Sequence, residues 1–438
     1  MASFEKARFT IAIPVEKAMG DIIALYQTMT GAFVLMPSHD WADVLSDPGY
    51  SADPEIMEFL YDQGFLVKKD TQEIAIFECW RQQHVHDFST ITSKVLVTRK
   101  CNNRCRYCIL DPELKEMSPE TARAMDEFYI TMLEEKNPGE VKDDYLGGEP
   151  LLNAKIIQES AARRFYYCQG KGIKYGFTIT TNGTLIRPSV ISQMKQVGLT
   201  GVRVSMAGPA SVHDHLRPSK NNGKTYGLIM ENLQSVSGLT SITIECQYDS
   251  GAIDYRRIPE MLDEFKERNI LVEDVNFTPI LPTRRDSPHD SGMGDPQIAL
   301  WLMKEAGKRG YAKDREAPSN RCMADLRSKF VFDTDGSIIP CPSLQGGEMA
   351  YGHVSKGVDF VSEAQLLKRN LGDRCLNECE LLPICTGGCR LQALIKQKDF
   401  AGIDCHYDTY RVFLEDYIRE KASAALVDEE NTAIKRAA

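Results

Sequence analysis

Lys100 to Leu110 reads K-C-N-N-R-C-R-Y-C-I-L and carries three cysteines, Cys101, Cys105 and Cys108, in C-x3-C-x2-C spacing. The stretch follows an apolar run at residues 95–97 that is typical of a strand. Three neighbouring cysteines cannot all pair as disulfides, because one is left over. They can instead hold three irons of a [4Fe–4S] cluster, which normally takes four cysteines. The fourth iron would then be open to a ligand from outside the protein.

The composition is that of an ordinary globular protein, and the length of 438 residues allows two to four domains. The formal net charge of −10 disfavours nonspecific binding to a nucleic-acid backbone, and no apolar run is long enough for a membrane span. The N-terminus has no signal-peptide core, so we expect a cytoplasmic protein. Thirteen cysteines in such a protein indicate metal binding rather than disulfides.

The cysteine stretch resembles the signature of the radical S-adenosylmethionine (radical SAM) enzymes, and Tyr107 adds to the resemblance because this family usually has an aromatic residue there. The G-G-E-P sequence at residues 147–150 is similar to the family's methionine-binding motif; glycines allow close backbone approach, and Glu149 can pair with an ammonium. By resemblance, Arg217 binds the methionine carboxylate, Ser205 the carboxylate or ribose, and Tyr107 the adenine. The residues expected to bind S-adenosylmethionine are Tyr107, Gly147, Gly148, Glu149, Pro150, Asn182, Ser205 and Arg217.

Predicted strands and helices alternate from residue 94 onward, which implies parallel βαβ units. Six such strands resemble the partial (βα)6 barrel of the radical SAM family, so the predicted fold class is α/β. Alternation along the strands places polar residues such as Thr178, Ser205 and Gln247 on the lumen side, which indicates a ligand cavity. Glu245 and Gln247 are candidates for substrate contact, and the sequence identifies no catalytic base. The predicted strands are 94–98, 144–146, 176–181, 201–206, 241–248 and 275–280, and the predicted helices are 118–135, 156–170, 188–197, 226–236 and 258–268.

Residues 1–90 are predicted to form a separate, winged-helix-like unit. A helix bundle that ends in a two-stranded wing is similar to the PqqD-like peptide-recognition domains of many peptide-modifying radical SAM enzymes. The alternative is a structural cap. The expected strands are 9–13 and 32–36, the expected helices 21–27 and 54–63, and the expected hairpin strands 65–67 and 73–77.

Seven further cysteines lie in residues 311–438, beyond the barrel predicted for residues 91–310. Their spacing closely resembles the SPASM domain, which carries two auxiliary [4Fe–4S] clusters, although its usual C-x2-C opening is C-x3-C here; a C-terminal helix follows. The inner cluster would have one open iron without substrate, and zinc binding is the alternative. By the family pattern the outer ligands are Cys375, Cys379, Cys385 and Cys405, and the inner ligands are Cys322, Cys341 and Cys389.

The combined resemblance implies an oxidoreductase that abstracts a hydrogen atom from a ribosomally synthesised precursor peptide and installs a carbon–carbon or thioether cross-link. It implies S-adenosylmethionine, three [4Fe–4S] clusters and an electron donor such as flavodoxin or ferredoxin. One alternative is an anaerobic sulfatase-maturing, formylglycine-generating enzyme, but that family has Asp where Pro342 stands and S-L-D-G where residues 205–208 read S-M-A-G. The other is an iron–sulfur electron carrier or peptide-binding scaffold, which would not need G-G-E-P, Ser205 or Arg217.

Overall fold

A small sheet and three helices form the N-terminal part of the chain. The computed structural model describes residues 4–15, 21–46, 53–108, 110, 115–251, 253–280, 294–311, 316–319, 321–344, 347 and 349–437. Strands β2, β3 and β4 form an antiparallel sheet, and β1 pairs antiparallel with β5. The elements are β1 (Phe4–Lys6), β2 (Thr10–Val15), β3 (Ile22–Gln27), β4 (Phe33–Pro37), α1 (Ser38–Ser46), α2 (Pro54–Asp62), β5 (Leu66–Lys68) and α3 (Glu73–Val85).

Two of the N-terminal predictions are wrong. Residues 22–27 form the central strand β3 rather than a helix: Leu25 is buried on one side, and Ala24 and Tyr26 are buried on the other, so the apolar run imitates helical spacing. Residues 73–77 begin helix α3 rather than forming a hairpin with β5. The partner of β5 is the distant strand β1, and Phe77 packs against Phe9.

The six predicted barrel strands are confirmed, with bounds that extend the predicted ones by a few residues at most. They lie in one sheet in the order β11-β10-β9-β8-β7-β6, all parallel, with helices between them. Helix α4 begins as its sequence predicts, since the Ser118 hydroxyl accepts a hydrogen bond from the Thr121 amide at 3.1 Å and Pro119 follows. The elements are β6 (Thr90–Thr98), α4 (Pro119–Lys136), β7 (Glu140–Gly147), α5 (Ala154–Lys171), β8 (Lys174–Thr181), α6 (Pro188–Lys195), β9 (Leu199–Met206), α7 (Ala210–Leu216), α8 (Tyr226–Val236), β10 (Ser241–Tyr248), α9 (Ile258–Glu267), β11 (Asp274–Pro279) and α10 (Pro296–Lys308).

The two faces of this sheet differ as the alternation predicts. Val204 and Ile244 are fully buried in the core that the helices cover, whereas their neighbours Ser205 and Glu245 face the lumen and are partly exposed. The lumen therefore has a polar lining that a filled barrel core would not have.

The C-terminal part of the chain extends the barrel sheet. Strand β12 pairs parallel with β6, and three short antiparallel strands follow it, so the described residues form a mixed sheet of ten strands. None of the described helices is both long and apolar enough to cross a bilayer. The elements are β12 (Lys329–Phe332), β13 (Ser337–Ile338), β14 (Gly352–His353), β15 (Gly357–Val358), α11 (Phe360–Leu366), α12 (Asp373–Asn377), α13 (Leu382–Cys385), α14 (Arg390–Gln397) and α15 (Tyr407–Ala437).

The N-terminal sheet packs on the C-terminal part rather than standing apart. Ile11 and Ile13 of β2 share a hydrophobic cluster with Leu414 and Ile418 of α15. The Thr28 hydroxyl donates a hydrogen bond to the backbone carbonyl of Glu380 at 2.7 Å, within the segment that carries four of the cysteines. This packing places the N-terminal unit beside the C-terminal cysteines.

Candidate cluster and S-adenosylmethionine site

The loop of Cys101, Cys105 and Cys108 begins where β6 ends, and the G-G-E-P loop lies directly against its first residues. The Gly148 and Glu149 amides donate to the carbonyls of Thr98 and Lys100, both at 2.8 Å. A Cβ atom on Gly147 would lie 2.1 Å from the Thr98 oxygen, and one on Gly148 would lie 2.3 Å from the Lys100 oxygen. Both glycines are therefore needed because the backbone of the G-G-E-P loop lies very close to the residues that precede Cys101.

The opposite side of the cysteine loop is held by the segment that follows α7. The amides of Arg104 and Arg106 donate to the carbonyls of Pro218 and Leu216 at 2.8 and 2.9 Å, and the Lys220 amide donates back to Asn102. The three cysteines thus lie on a short loop that is fixed from both sides, with Arg217 in the segment that fixes it.

The three thiols of this loop are close enough to influence one another. Burial raises the pKa of Cys101 to about 11, and the neighbouring thiols of Cys105 and Cys108 make smaller contributions to this shift. The Asn103 amide donates to the Cys101 sulfur at 3.4 Å. Because a buried thiol resists ionisation, a bound cation is what would hold these groups as thiolates, and the donor set fits an iron–sulfur cluster.

Glu149 is fully buried, and its carboxylate is already bonded within the protein. It accepts hydrogen bonds from the Leu151 amide at 3.0 Å, the Thr181 hydroxyl at 2.7 Å and the Asn182 amide at 2.8 Å. Burial raises the pKa of this carboxyl, and the three bonds act in the opposite direction. Glu149 therefore ties the G-G-E-P loop to the end of β8, and its side chain is a positioning group in this structure.

Glu149→Gln should lower the free energy of unfolding by about 1–3 kcal/mol, because the amide nitrogen of glutamine would face an N–H or O–H donor in a buried site. The matched control is Glu116→Gln, since Glu116 is exposed and pairs with Lys100 of the same cysteine loop at 2.6 Å. That change should cost less than about 0.5 kcal/mol. Urea unfolding of the two variants measures the difference, and equal effects would contradict the positioning role.

Tyr107, Arg217 and Gln247 meet at the carboxyl ends of the strands. Arg217 Nη1 donates to the Tyr107 hydroxyl at 2.5 Å and to Gln247 Oε1 at 3.2 Å, and the Tyr107 hydroxyl donates to the same Gln247 oxygen at 3.1 Å. Burial opposes the charge of Arg217, but the nearby Cys105 thiol and the Tyr107 phenol raise its pKa above the ordinary value. Arg217 Nε is buried and has no hydrogen-bond partner among the residues that the structure describes. The guanidinium thus has a free donor beside the cysteine loop, which suits a carboxylate ligand.

Asn182 directly follows β8, and Ser205 lies near the end of the neighbouring strand β9, at the same end of the sheet. Asn182 Nδ2 donates to Asn102 Oδ1 at 2.8 Å and lies 3.9 Å from the Cys101 sulfur. Ser205 of β9 stands opposite Glu245 of β10 in the strand register. Pro150 begins the short 3-10 turn after Glu149 and is buried. The structure brings all eight predicted ligand-binding residues to the end of the barrel that carries the cysteine loop.

Among the seven C-terminal cysteines, electrostatic influence connects Cys341 with Cys322 and Cys389, and it connects Cys375, Cys379, Cys385 and Cys405 with one another. Burial raises the pKa of Cys341 to about 11, and the thiols of Cys322 and Cys389 contribute to the shift. Burial also raises the pKa of Cys379 to about 11, with smaller contributions from Cys375 and Cys385. Cys405 completes the second set, because it raises the pKa of Cys385.

All thirteen cysteines lie among the described residues, and none of them is in a disulfide bond. In the part of the chain that the structure describes, no three His, Cys, Asp or Glu side chains converge as a site for a single metal ion.

Arg99 is a residue of this site that the sequence analysis missed. It lies two positions before Cys101, and its guanidinium forms a fully buried ion pair with Asp333 at 2.5 Å. The same Nη2 atom donates to the carbonyl of Leu344 at 3.0 Å, three residues after Cys341. Arg99 therefore connects the first cysteine loop to the inner C-terminal set. A basic residue beside the cysteines was the only sequence signal, and nothing local identified its partner.

Comparison with known proteins finds similarity in the barrel part of the chain. The model of the Radical SAM superfamily matches residues 95–244. The radical SAM cyclopropyl synthase TigE of Paramaledivibacter caminithermalis is 24% identical over 215 residues, which are 43% of this chain and 45% of that protein. A cysteine-type anaerobic sulfatase-maturating enzyme of Clostridium novyi is 20% identical over 325 residues, 66% of this chain and 85% of that protein. The match to TigE thus spans less than half of that protein's length.

Two solved structures share the fold at low sequence identity. AnSMEcpe with bound AdoMet and the Cp18Cys peptide superposes with a TM-score of 0.57 at 17% identity, covering 78% of this chain and 99% of that one. Streptococcus suis SuiB bound to the precursor peptide SuiA gives a TM-score of 0.55 at 15% identity, covering 92% and 99%. These likenesses establish the α/β radical SAM fold with its mixed sheet. Residues 95–244 of this chain thus match the Radical SAM superfamily model, and the proteins of that superfamily are enzymes that use S-adenosylmethionine and a [4Fe–4S] cluster.

Proposed function

We propose that this protein is a radical SAM peptide maturase that removes hydrogen from a precursor peptide and forms a carbon–carbon or thioether cross-link. The observation that carries the proposal is a cavity of about 780 Å³ in the barrel lumen, whose wall includes Cys322 and Cys389 of the inner set. A substrate in this cavity would lie beside an auxiliary cluster, in the barrel that carries the first cysteine loop.

Each cysteine set has a role in the proposal. Cys101, Cys105 and Cys108 hold the first cluster, and the eight residues around Arg217 and Glu149 hold S-adenosylmethionine. When bound, these groups supply the radical that takes a hydrogen atom from the substrate. The chain's own contribution is to fix the loop, to orient the methionine carboxylate through Arg217 and to exclude water. An electron donor such as flavodoxin or ferredoxin supplies the reducing electron.

The two C-terminal sets, in this proposal, make residues 311–438 a SPASM domain with two auxiliary clusters. Cys375, Cys379, Cys385 and Cys405 hold the outer cluster, and three thiols hold the inner one. With three protein ligands, the inner cluster keeps one iron open in the absence of substrate. Spectroscopy of the reconstituted chain that showed four protein ligands on that cluster would overturn this assignment.

The N-terminal unit is proposed as the PqqD-like domain that delivers the peptide. Two observations support it: this unit packs on the C-terminal cysteine segment, and Trp80 of α3 stacks on the guanidinium of Arg321 at 4.6 Å from the ring centre. Arg321 also lines the lumen cavity. A peptide bound by this unit would therefore reach the cavity wall over a short distance.

The experiment is an anaerobic incubation of the reconstituted protein with reductant, S-adenosylmethionine and its cognate precursor peptide. The expected product is lighter than the precursor by two hydrogen atoms, and tandem mass spectrometry locates the cross-link. Full cleavage of S-adenosylmethionine with an unchanged peptide mass would refute the proposal. Failure to form 5′-deoxyadenosine at all would favour an electron carrier or a binding scaffold.

A sulfatase-maturing activity is the second candidate, favoured by the similarity to the Clostridium novyi enzyme. The resemblance requires an Asp directly after Cys341, and this chain has Pro342, which has no side-chain base. Incubation with a sulfatase-derived peptide tests it directly, and formation of formylglycine would replace the cross-linking proposal.

A further inference from the structure

The lumen cavity lies away from the S-adenosylmethionine end of the barrel. Its floor comes from the first halves of four strands, with Lys94 on β6, Lys142 on β7, Gly176 on β8 and Thr200 on β9. The remaining wall comes from the C-terminal part of the chain around Cys322. The cavity therefore extends from the barrel lumen to the inner cysteine set.

Positive charge dominates the lining of this cavity. The three carboxylates of the lining are Glu140, Asp143 and Asp144, and the negative charge of each is already paired within the protein. Glu140 pairs with Lys142 and Lys174, both at 2.8 Å. Asp144 pairs with Lys94 and accepts hydrogen bonds from two threonine hydroxyls, and Asp143 pairs with the buried Arg164 at 2.9 Å. The six cations of the lining are Lys94, Lys142, Lys174, Arg203, Arg321 and Lys329.

Two of these cations have no ion pair with a carboxylate among the described residues. Lys329 stands on β12 opposite Thr92 of β6, and the aromatic face of Trp80 holds the guanidinium of Arg321. Burial, followed by the charges of Lys94 and Arg321, lowers the pKa of the Lys329 ammonium. Burial and neighbouring like charges both disfavour the charged ammonium, whereas the Cys322 thiol acts in the opposite direction.

We propose that Lys329 and Arg321 bind the carboxylate of an Asp or Glu side chain of the substrate peptide and hold it beside Cys322 and Cys389. A half-buried guanidinium and ammonium form charge-assisted hydrogen bonds to a carboxylate, and the local positive field attracts it although the whole chain carries a net charge of −10. The inference rests on the proposed function, since it takes the ligand to be a peptide, and it adds the chemical class of that peptide.

The test is a binding selection with the full-length, cluster-loaded protein in the absence of reductant and S-adenosylmethionine. The probe is a random library of short peptides with amidated C-termini, so that a side chain is the only carboxylate source. Wild type should enrich Asp and Glu at one position, and Lys329→Gln should lose that enrichment. The matched control Lys308→Gln, which alters an exposed lysine of α10 paired with Glu305, should retain it.

Synthetic peptides then measure the effect. Replacing the enriched Asp or Glu by its amide should weaken binding to wild type roughly tenfold or more and leave binding to Lys329→Gln unchanged. The conservative variant Lys329→Arg keeps the positive charge and should retain the enrichment; because this is retained binding, an unfolded variant cannot imitate it. Selection of neutral or basic peptides by wild type, no selection at all, or enrichment that persists in Lys329→Gln overturns the inference.

The test of acidic-peptide binding can fail or succeed independently of the test of the maturase proposal. A protein that binds acidic peptides through Lys329 but modifies none would refute the maturase proposal alone. A protein that modifies peptides equally well after an acidic residue is replaced by its amide would refute this inference alone.

Discussion

Cys105→Ala is expected to abolish cleavage of S-adenosylmethionine while the protein remains folded. Cys105 contributes both to the raised pKa of Cys101 and to that of Arg217, so its thiol lies near Cys101 and near the guanidinium proposed to bind the methionine carboxylate. A cluster held by only three cysteines is lost when one of them is removed, and the site at which the methionine moiety would bind is lost with the cluster.

The measurement is 5′-deoxyadenosine formed under strong reductant, together with the iron content of the purified chain. Iron should fall by roughly a third, because one of three four-iron clusters is lost. Cys79→Ala is the matched control, since Cys79 is exposed and belongs to none of the three sets. Undiminished cleavage in Cys105→Ala would show that this loop does not hold the reactive cluster.

The barrel could be predicted from the sequence because its signals are local. Each strand alternates in polarity over a few residues, and each helix has a periodic apolar stripe, so the bounds of β10 and α8 agree with the prediction to the residue. The strand-end positions of Asn182 and Ser205 follow from the same pattern. Parallel strands then bring these residues to one edge, as the structure shows.

The features that the sequence could not predict depend on distant partners. β3 looked helical because cores on both of its faces come from other parts of the chain, including α15. The ion pair of Arg99 and Asp333 joins residues 234 positions apart. The grouping of seven C-terminal cysteines into two sets came from a family resemblance, because spacing alone allows many combinations.

Glu149 shows a related limit. Its motif was recognised, but the role of its carboxylate depends on Thr181 and Asn182 at the end of another strand. A sequence motif identifies a site, whereas hydrogen-bond partners decide whether a side chain faces the ligand or supports the loop. This is why the Glu149→Gln variant is tested by its effect on stability.

Cys341→Ala should separate the two chemical steps of the proposed function. Cys341 belongs to the inner set but does not line the lumen cavity among the described residues, whereas Cys322 and Cys389 do. Its removal therefore acts on the inner cluster rather than on direct contact with the peptide. We expect cleavage of S-adenosylmethionine to continue, because the first cysteine loop is untouched, and the cross-linked product to disappear.

Both quantities are measured in one anaerobic reaction, with 5′-deoxyadenosine and peptide mass followed over time. The iron content should again fall by roughly a third, as in Cys105→Ala, so the two variants lose equal metal but different activities. Product formation at the wild-type level in Cys341→Ala would mean that the inner set has no part in the reaction. Loss of both activities would mean instead that the Arg99–Asp333 link, which joins the inner loop to Cys101, transmits the damage to the first cluster.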